Sequence, residues 1–257
     1  MQTKSRINSA VIFLILLLLP ATVGAFESLV FPPLSETSLQ AHFRALPRLR
    51  DMLETRGMVL GNRIFIRIFK QTKELELWMQ QDGGHYELFR TYSVCHHSGR
   101  LGPKQESGDK QSPEGFYTIA PGQMNPWSNF HLSFNLGYPN EYDQSHDRTG
   151  AALMIHGRCS SAGCFAMTDY YMDEIYTLAN AALANGQTAF HVHIFPFKMT
   201  QANMELHKHS RWAGFWNNLK EGYDLFEKYR LVPSVSVENK RYIFTHQYDR
   251  ANTHISS

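Results

Sequence analysis

Between Arg63 and Val94 the chain switches to a two-residue period, and this limits what it can fold into more than any other feature. In "NRIFIRIFK" the isoleucines 64, 66 and 68 alternate with Phe65, Arg67 and Phe69. In "KELELWMQ" Leu75, Leu77 and Met79 alternate with Glu74, Glu76 and Trp78. Successive side chains of a strand point to opposite faces, so both stretches read as strands with one apolar face. "QDGGH" at 81–85 is a turn signal, and "YELFRTYSV" reads as a returning strand. A β-meander therefore opens the folded part of the chain.

The flanking segments complete an α+β, β-rich pattern. Pro32 and Pro33 mark an extended lead-in, and residues 38–56 have helical character that Pro47 is expected to start or interrupt. Residues 98–115 are polar and rich in glycine and proline, a surface loop of the kind that carries function on a rigid sheet. "FYTIA" and "AALMIHG" read as strands separated by an irregular tract at 122–150. Thr168 or Asp169 can cap a helix to about residue 184, with Asp173 and Glu174 in its early turns and Gly186 past its end. "TAFHVHIF" alternates as a strand. Trp212, Phe215, Trp216, Leu219, Tyr223 and Phe226 recur at helical spacing, a stripe best read as core packing. "SVSVENKRYIF" closes the chain as strands around a turn. Strands dominate and helices cluster late.

The N-terminus carries a basic start, "MQTKSR", the apolar run "AVIFLILLLL", and the small residues Val23 and Ala25. This is the layout of a secretory signal peptide over residues 1–25, with an apolar run too short to span a bilayer. The expectation is an exported protein that keeps no membrane span after cleavage. With 25 basic and 23 acidic residues the net charge is +2, which argues against a nucleic-acid partner. The chain has 3 cysteines, too few for a disulfide scaffold and odd in number, so at least one thiol stays unpaired. In an oxidising compartment a spare thiol is a hint of chemistry.

Two of those cysteines lie in "MIHGRCSSAGCFAMTD", residues 154–169. Three readings compete. Cys159 can pair with Cys164, or Cys95 with Cys159, as a structural disulfide. Alternatively His156, Cys159 and Cys164, with His191 or His193, are chemically suited to zinc, although the spacing matches no structural zinc module. In the third, Cys164 is a nucleophile. A free thiol is only a few per cent ionised at neutral pH, so it needs a base, and His156 at the end of "ALMIH" can supply one. Ser161, Ala162 and Gly163 allow a tight turn that aims backbone N–H groups at an oxyanion.

"SPEGFYTI", "ALMIHG" and "SAGC" together resemble the YkuD-type L,D-transpeptidase domain. "CHHSGRLGPKQESGDKQSPEGFY", "HLSFNLGYPN" and "NLKEGYDLFEKYR" are similar to its YafK-like branch, which contains the enzyme that detaches outer-membrane lipoprotein from peptidoglycan. The likeness runs from roughly Val59 to Phe244. It implies a β-sandwich or barrel-like core over residues 59–200, preceded by a lead-in at 26–58 and followed by a helical and β extension at 201–257 on the same domain. It also implies Cys164 as nucleophile, His156 as general base, the Gly157 carbonyl as the group orienting that histidine, and backbone near Gly163 as oxyanion hole. Ser161 matches the Ser/Thr of the family's nucleophile turn. No cofactor is implied. The expected partners are peptidoglycan stem peptides and peptidoglycan-linked lipoprotein, in the periplasm.

Two features depart from the common family pattern: Ala162 stands where a second histidine is usual, and the His156–Cys164 segment is short. Both resemble the YafK-like branch. Arg100, Lys104, Lys110 and Arg158 are near the site in sequence and suited to the carboxylates of a stem peptide. The favoured outcome is hydrolysis of the lipoprotein link at meso-diaminopimelate. The alternatives are 3–3 cross-linking or lipoprotein attachment by transpeptidation, a cysteine protease, and a non-catalytic wall-binding module stabilised by zinc or disulfide.

Overall fold

The structure, a computed structural model, describes residues 31–245. The expected signal peptide, the start of the lead-in and the last twelve positions fall outside the described residues. The chain order begins with helix α1 (Glu36–Thr55), then strands β1 (Ile64–Phe69), β2 (Glu74–Gln80), β3 (Tyr86–Ser93), β4 (His96–His97), β5 (Gly115–Ile119), β6 (Met124–Asn125) and β7 (Ser133–Asn135). Helix α2 (Glu141–Ser145), strands β8 (Met154–His156) and β9 (Phe165–Ala166), helix α3 (Asp169–Ala184) and strand β10 (Phe190–Phe195) follow. Helices α4 (Gln201–Leu206) and α5 (Ala213–Tyr229) and the hairpin β11 (Ser234–Glu238)–β12 (Arg241–Thr245) end the described fold.

Two five-stranded sheets carry the architecture. The first has the order β3-β2-β1-β10-β5 and contains the meander read from the sequence; the second has the order β4-β9-β8-β7-β6. Ile64, Ile66 and Ile68 share one buried core with Leu75, Leu77, Phe134, Ile155 and Phe165, so the inner faces of both sheets meet there. The alternating partners Phe65 and Phe69 are also fully buried, because α5 covers the outer face with Trp216, Leu219, Tyr223 and Phe226. Each such side chain contributes about 1.5–3 kcal/mol when buried. Arg67, on that covered face, is held by Glu76 and by Glu227 of α5, each at 2.6 Å. The helical addition is thus joined to the sheet by both apolar packing and a half-buried ion pair.

Helix α1 runs unbroken through Pro47, contrary to the expected interruption. Its buried stripe, Ala41, Ala45, Leu49 and Leu53, faces inward, whereas Pro47 and Phe43 are exposed. The carbonyl four residues before the proline therefore lies on the solvent side, where water replaces the missing N–H. Ion pairs then clip α1 to α3: Arg44 to Asp173 and Arg48 to Glu174, each at 2.8 Å, with Arg90 of β3 adding a second guanidinium on Glu174. Thr168 caps α3 by accepting the Tyr171 N–H, in line with the sequence reading.

Candidate active site

Strands β8 and β9 are parallel neighbours in which His156 pairs with Ala166. Cys164 stands in the turn just before β9, on the segment that leads into its pairing with β8. The register brings the thiol beside Met154, whose N–H donates to Sγ at 3.4 Å. The Sγ also lies 3.7 Å from the Ala152 carbonyl. Cys164, at the entry to β9, thus lies against the start of β8, the strand that His156 ends.

The histidine is oriented by its own neighbour. Its Nδ1 is 2.6 Å from the Gly157 carbonyl. A carbonyl only accepts, so Nδ1 carries the proton and Nε2 presents a lone pair. Gly157 is required there by space. A Cβ would sit 2.7 Å from Asp169 Oδ1, 2.8 Å from His131 Cβ and 2.8 Å from the Phe130 carbonyl. Asp169 Oδ1 accepts the Arg158 N–H at 2.6 Å, and Gly157 N–H donates to Leu132 O at 3.0 Å. The start of the loop after His156 is therefore pinned at two successive residues.

The other end of that loop is pinned at Cys164. The Cys164 carbonyl accepts from Ser161 Oγ at 2.6 Å and from Ser112 Oγ at 3.3 Å. Ser161 thus grips the nucleophile turn itself. Gly163 has φ +118°, a conformation glycine adopts at little cost, and a Cβ there would lie 3.1 Å from Leu153. Between the two ends, Cys159 forms a disulfide with Cys95, just ahead of β4, and Cys164 is the free cysteine. This resolves the two pairings left open by the sequence. It also removes the zinc reading, since Cys159 is no longer a thiolate donor. Among the described residues no group of three or more His, Cys, Asp or Glu could hold a metal ion. His193 is fully buried on β10 between the rings of Phe65 and Phe116.

Burial pushes the His156 imidazole below its usual value, with the Gly157 carbonyl partly opposing. Burial pushes the Cys164 thiol up, with the Met154 N–H partly opposing. At neutral pH the resting pair is therefore a neutral thiol and a neutral imidazole, suited to proton transfer during attack rather than to a preformed ion pair.

Of the basic residues near the site in sequence, Arg100, Lys110 and Arg158 are exposed. Lys104 is 4% exposed, and its ammonium is taken up inside the loop by Asp109 and the Glu106 carbonyl. Phe130 carries no signal of its role in the sequence; its ring lies 4.8 Å from that of His156 and 5.8 Å from the Arg158 guanidinium. Its neighbour His131 is held by Asp173 at 2.6 Å. Ser112 was likewise hidden, because a serine in a polar loop carries no distinguishing signal.

Residues 63–194 match the family model of the YkuD L,D-transpeptidase catalytic domain. The chain belongs to this family, and is a peptidoglycan-related enzyme by class. Among curated proteins it is similar to "Putative L,D-transpeptidase YafK" of Escherichia coli K12 and of Escherichia coli O157:H7. Each is 46% identical over 190 residues, covering 74% of this chain and 77% of the relative. Among solved structures it is similar to a variant of the helical cell shape determining protein Pgp2 of Campylobacter jejuni, with a TM-score of 0.44 at 19% identity. That match covers 76% of this chain and 66% of the Pgp2 chain, just under two thirds of its length. Bd1075 of Bdellovibrio bacteriovorus matches with a TM-score of 0.37 at 19% identity, over 70% of this chain and 78% of its own.

Proposed function

We propose that the protein is a periplasmic cysteine enzyme that attacks the L-centre carbonyl of meso-diaminopimelate in peptidoglycan and hydrolyses its link to an outer-membrane lipoprotein. One observation carries the reading: a free thiol at the entry to β9 lies against β8, the strand that ends in the carbonyl-oriented imidazole of His156. His156 Nε2 takes the Cys164 proton as sulfur bonds to the carbonyl carbon. Backbone N–H groups near Gly163 and Cys164 hold the oxyanion. Collapse to a thioester breaks the amide bond, and the leaving amine takes the proton from His156. Water then adds to the thioester, gives its proton to His156, and releases a free carboxylate and the thiol. Arg100 and Arg158, both exposed, are the residues proposed to meet carboxylates of the stem peptide.

The likeness to the YafK-like branch favours water as acceptor, while the family description, L,D-transpeptidase, favours an amine, which yields a 3–3 cross-link or attaches lipoprotein. Both share the first half-reaction. In the domain reading that accompanies the proposal, residues 1–25 export the chain, 59–200 hold the chemistry and 201–257 pack against it. No helix among the described residues is long and apolar enough to cross a membrane. The test is incubation of the purified chain with lipoprotein-loaded sacculi, beside Cys164→Ala, read by mass spectrometry. Lipoprotein released free of muropeptide by the wild type alone supports hydrolysis. New 3–3 cross-links with lipoprotein retained assign the transferase outcome instead.

A further inference from the structure

A cleft of about 640 Å³ opens on the loop that packs against the turn before Cys164, and its far wall lies outside the family-matched region. One wall is the loop from Gly99 to Gln111; the other is Arg211 and Trp212, just before α5. Gln111 joins the cleft to the site. Its carbonyl lies 3.6 Å from where a Gly163 Cβ would stand, and its side chain donates to the carbonyls of Arg100 and Gly102.

The cleft is a built surface. The Lys70 ammonium, fully buried, donates to Gly102 O at 2.7 Å, Ser112 O at 2.9 Å and Glu114 at 3.0 Å, fixing the loop from beneath. Trp212 rests directly on Gly102, where any Cβ would come within 2.2 Å of the indole nitrogen. Two guanidinium groups line the cleft without a carboxylate partner among the described residues: Arg100, and Arg211 stacked 4.5 Å over the Trp212 ring. The Glu106 carboxylate, also lining it, has no cationic partner there either. Unpaired cations and an unpaired anion around one concavity match a zwitterion.

We propose that this cleft is a subsite for a free α-amino-acid head group, with Arg100 and Arg211 holding its carboxylate and Glu106 its ammonium. The inference rests on the proposed reaction, because a diaminopimelate attacked at its L-centre carries such a head group on its other centre. Arg211 and Trp212 are then specificity determinants supplied by the C-terminal addition.

The test titrates full-length Cys164→Ala protein with meso-diaminopimelate and with its di-N-acetyl derivative, followed by calorimetry. Arg100→Gln and Arg211→Gln are each expected to weaken diaminopimelate binding roughly ten-fold, the loss of a charge-assisted contact. Glu106→Gln and N-acetylation are expected to weaken it without adding to one another. Melting temperatures of these surface variants should stay within about 2 °C of the parent, which separates a lost contact from a lost fold. In the active enzyme, Arg211→Gln should raise KM with kcat retained. Binding that is indifferent to Arg100 and Arg211, or absent up to about 10 mM, overturns the subsite. If the wild type still releases lipoprotein in that case, the reaction stands without the subsite. If Arg211-dependent binding is found in a protein that turns nothing over, the subsite stands and the reaction falls.

Discussion

Replacing Cys95 and Cys159 together by alanine removes a crosslink between residues 64 apart in sequence. In the chain-entropy model, closing a loop of that size costs the unfolded chain about 14 cal/mol/K, so the native state should lose about 4 kcal/mol at 25 °C. For a chain of this length each kcal/mol moves the melting temperature by about 2–4 °C, so a fall of about 8–16 °C is expected. The assay is urea denaturation of the oxidised parent, the reduced parent and the double variant, all carrying Cys164→Ala to prevent thiol exchange. The reduced parent and the double variant should share one midpoint, and the slope should steepen slightly as the unfolded chain expands. The same crosslink tethers the middle of the loop joining His156 to Cys164, so the double variant with Cys164 restored should also lose kcat. A loss below about 1 kcal/mol with unchanged activity would refute the reasoning, since it would leave the loop held by Ser161, Ser112 and Asp169 alone.

Four further outcomes follow from the site and the loop beside it. The proposed reaction needs neutral His156, and burial holds its value below 6.5, so the acid limb of kcat/KM should lie below pH 6.5. Burial also raises the Cys164 thiol above 9.0, so alkylation by iodoacetamide should climb through pH 9 instead of showing an acidic plateau; such a plateau would reveal a resting ion pair. Gly157→Ala places a methyl 2.7–2.8 Å from three atoms and should cost about 1–3 kcal/mol on thermal unfolding, with a fall in kcat as the carbonyl orienting His156 moves. Lys70→Met strands the fully buried Glu114 and should cost about 3–5 kcal/mol by denaturation, part of which Glu114→Gln restores in the double variant.

Features with a local cause were legible in the sequence. The meander followed from period-two alternation, α3 from its Thr168 cap, and Cys164 and His156 from a thiol, a histidine and small residues within one short segment. Features fixed by distant partners were not. Strands β4 and β9 are two residues each, too short for any period, and exist through pairing with one another and with β8. Pro47 reads as a break until its exposed position is known. Asp173 and Glu174 suited the start of a helix, yet their guanidinium partners come from α1 and β3, more than 80 residues away. Trp212 packs on the α5 core cluster as its spacing suggested, but nothing local announced that it also covers Gly102 of the distant loop. Lys104 looked free for substrate because nothing local announced its bond to Asp109.

The central claim is that Cys164 carries the acyl group between the two half-reactions. The most direct test is rapid acid quench of the enzyme turning over a lipoprotein-linked muropeptide, followed by peptide mapping of the segment around residue 164. The account predicts a stem-peptide adduct on Cys164 that hydroxylamine removes, and none in Cys164→Ala. Turnover that persists in Cys164→Ala, with no adduct on the wild-type thiol, would contradict it.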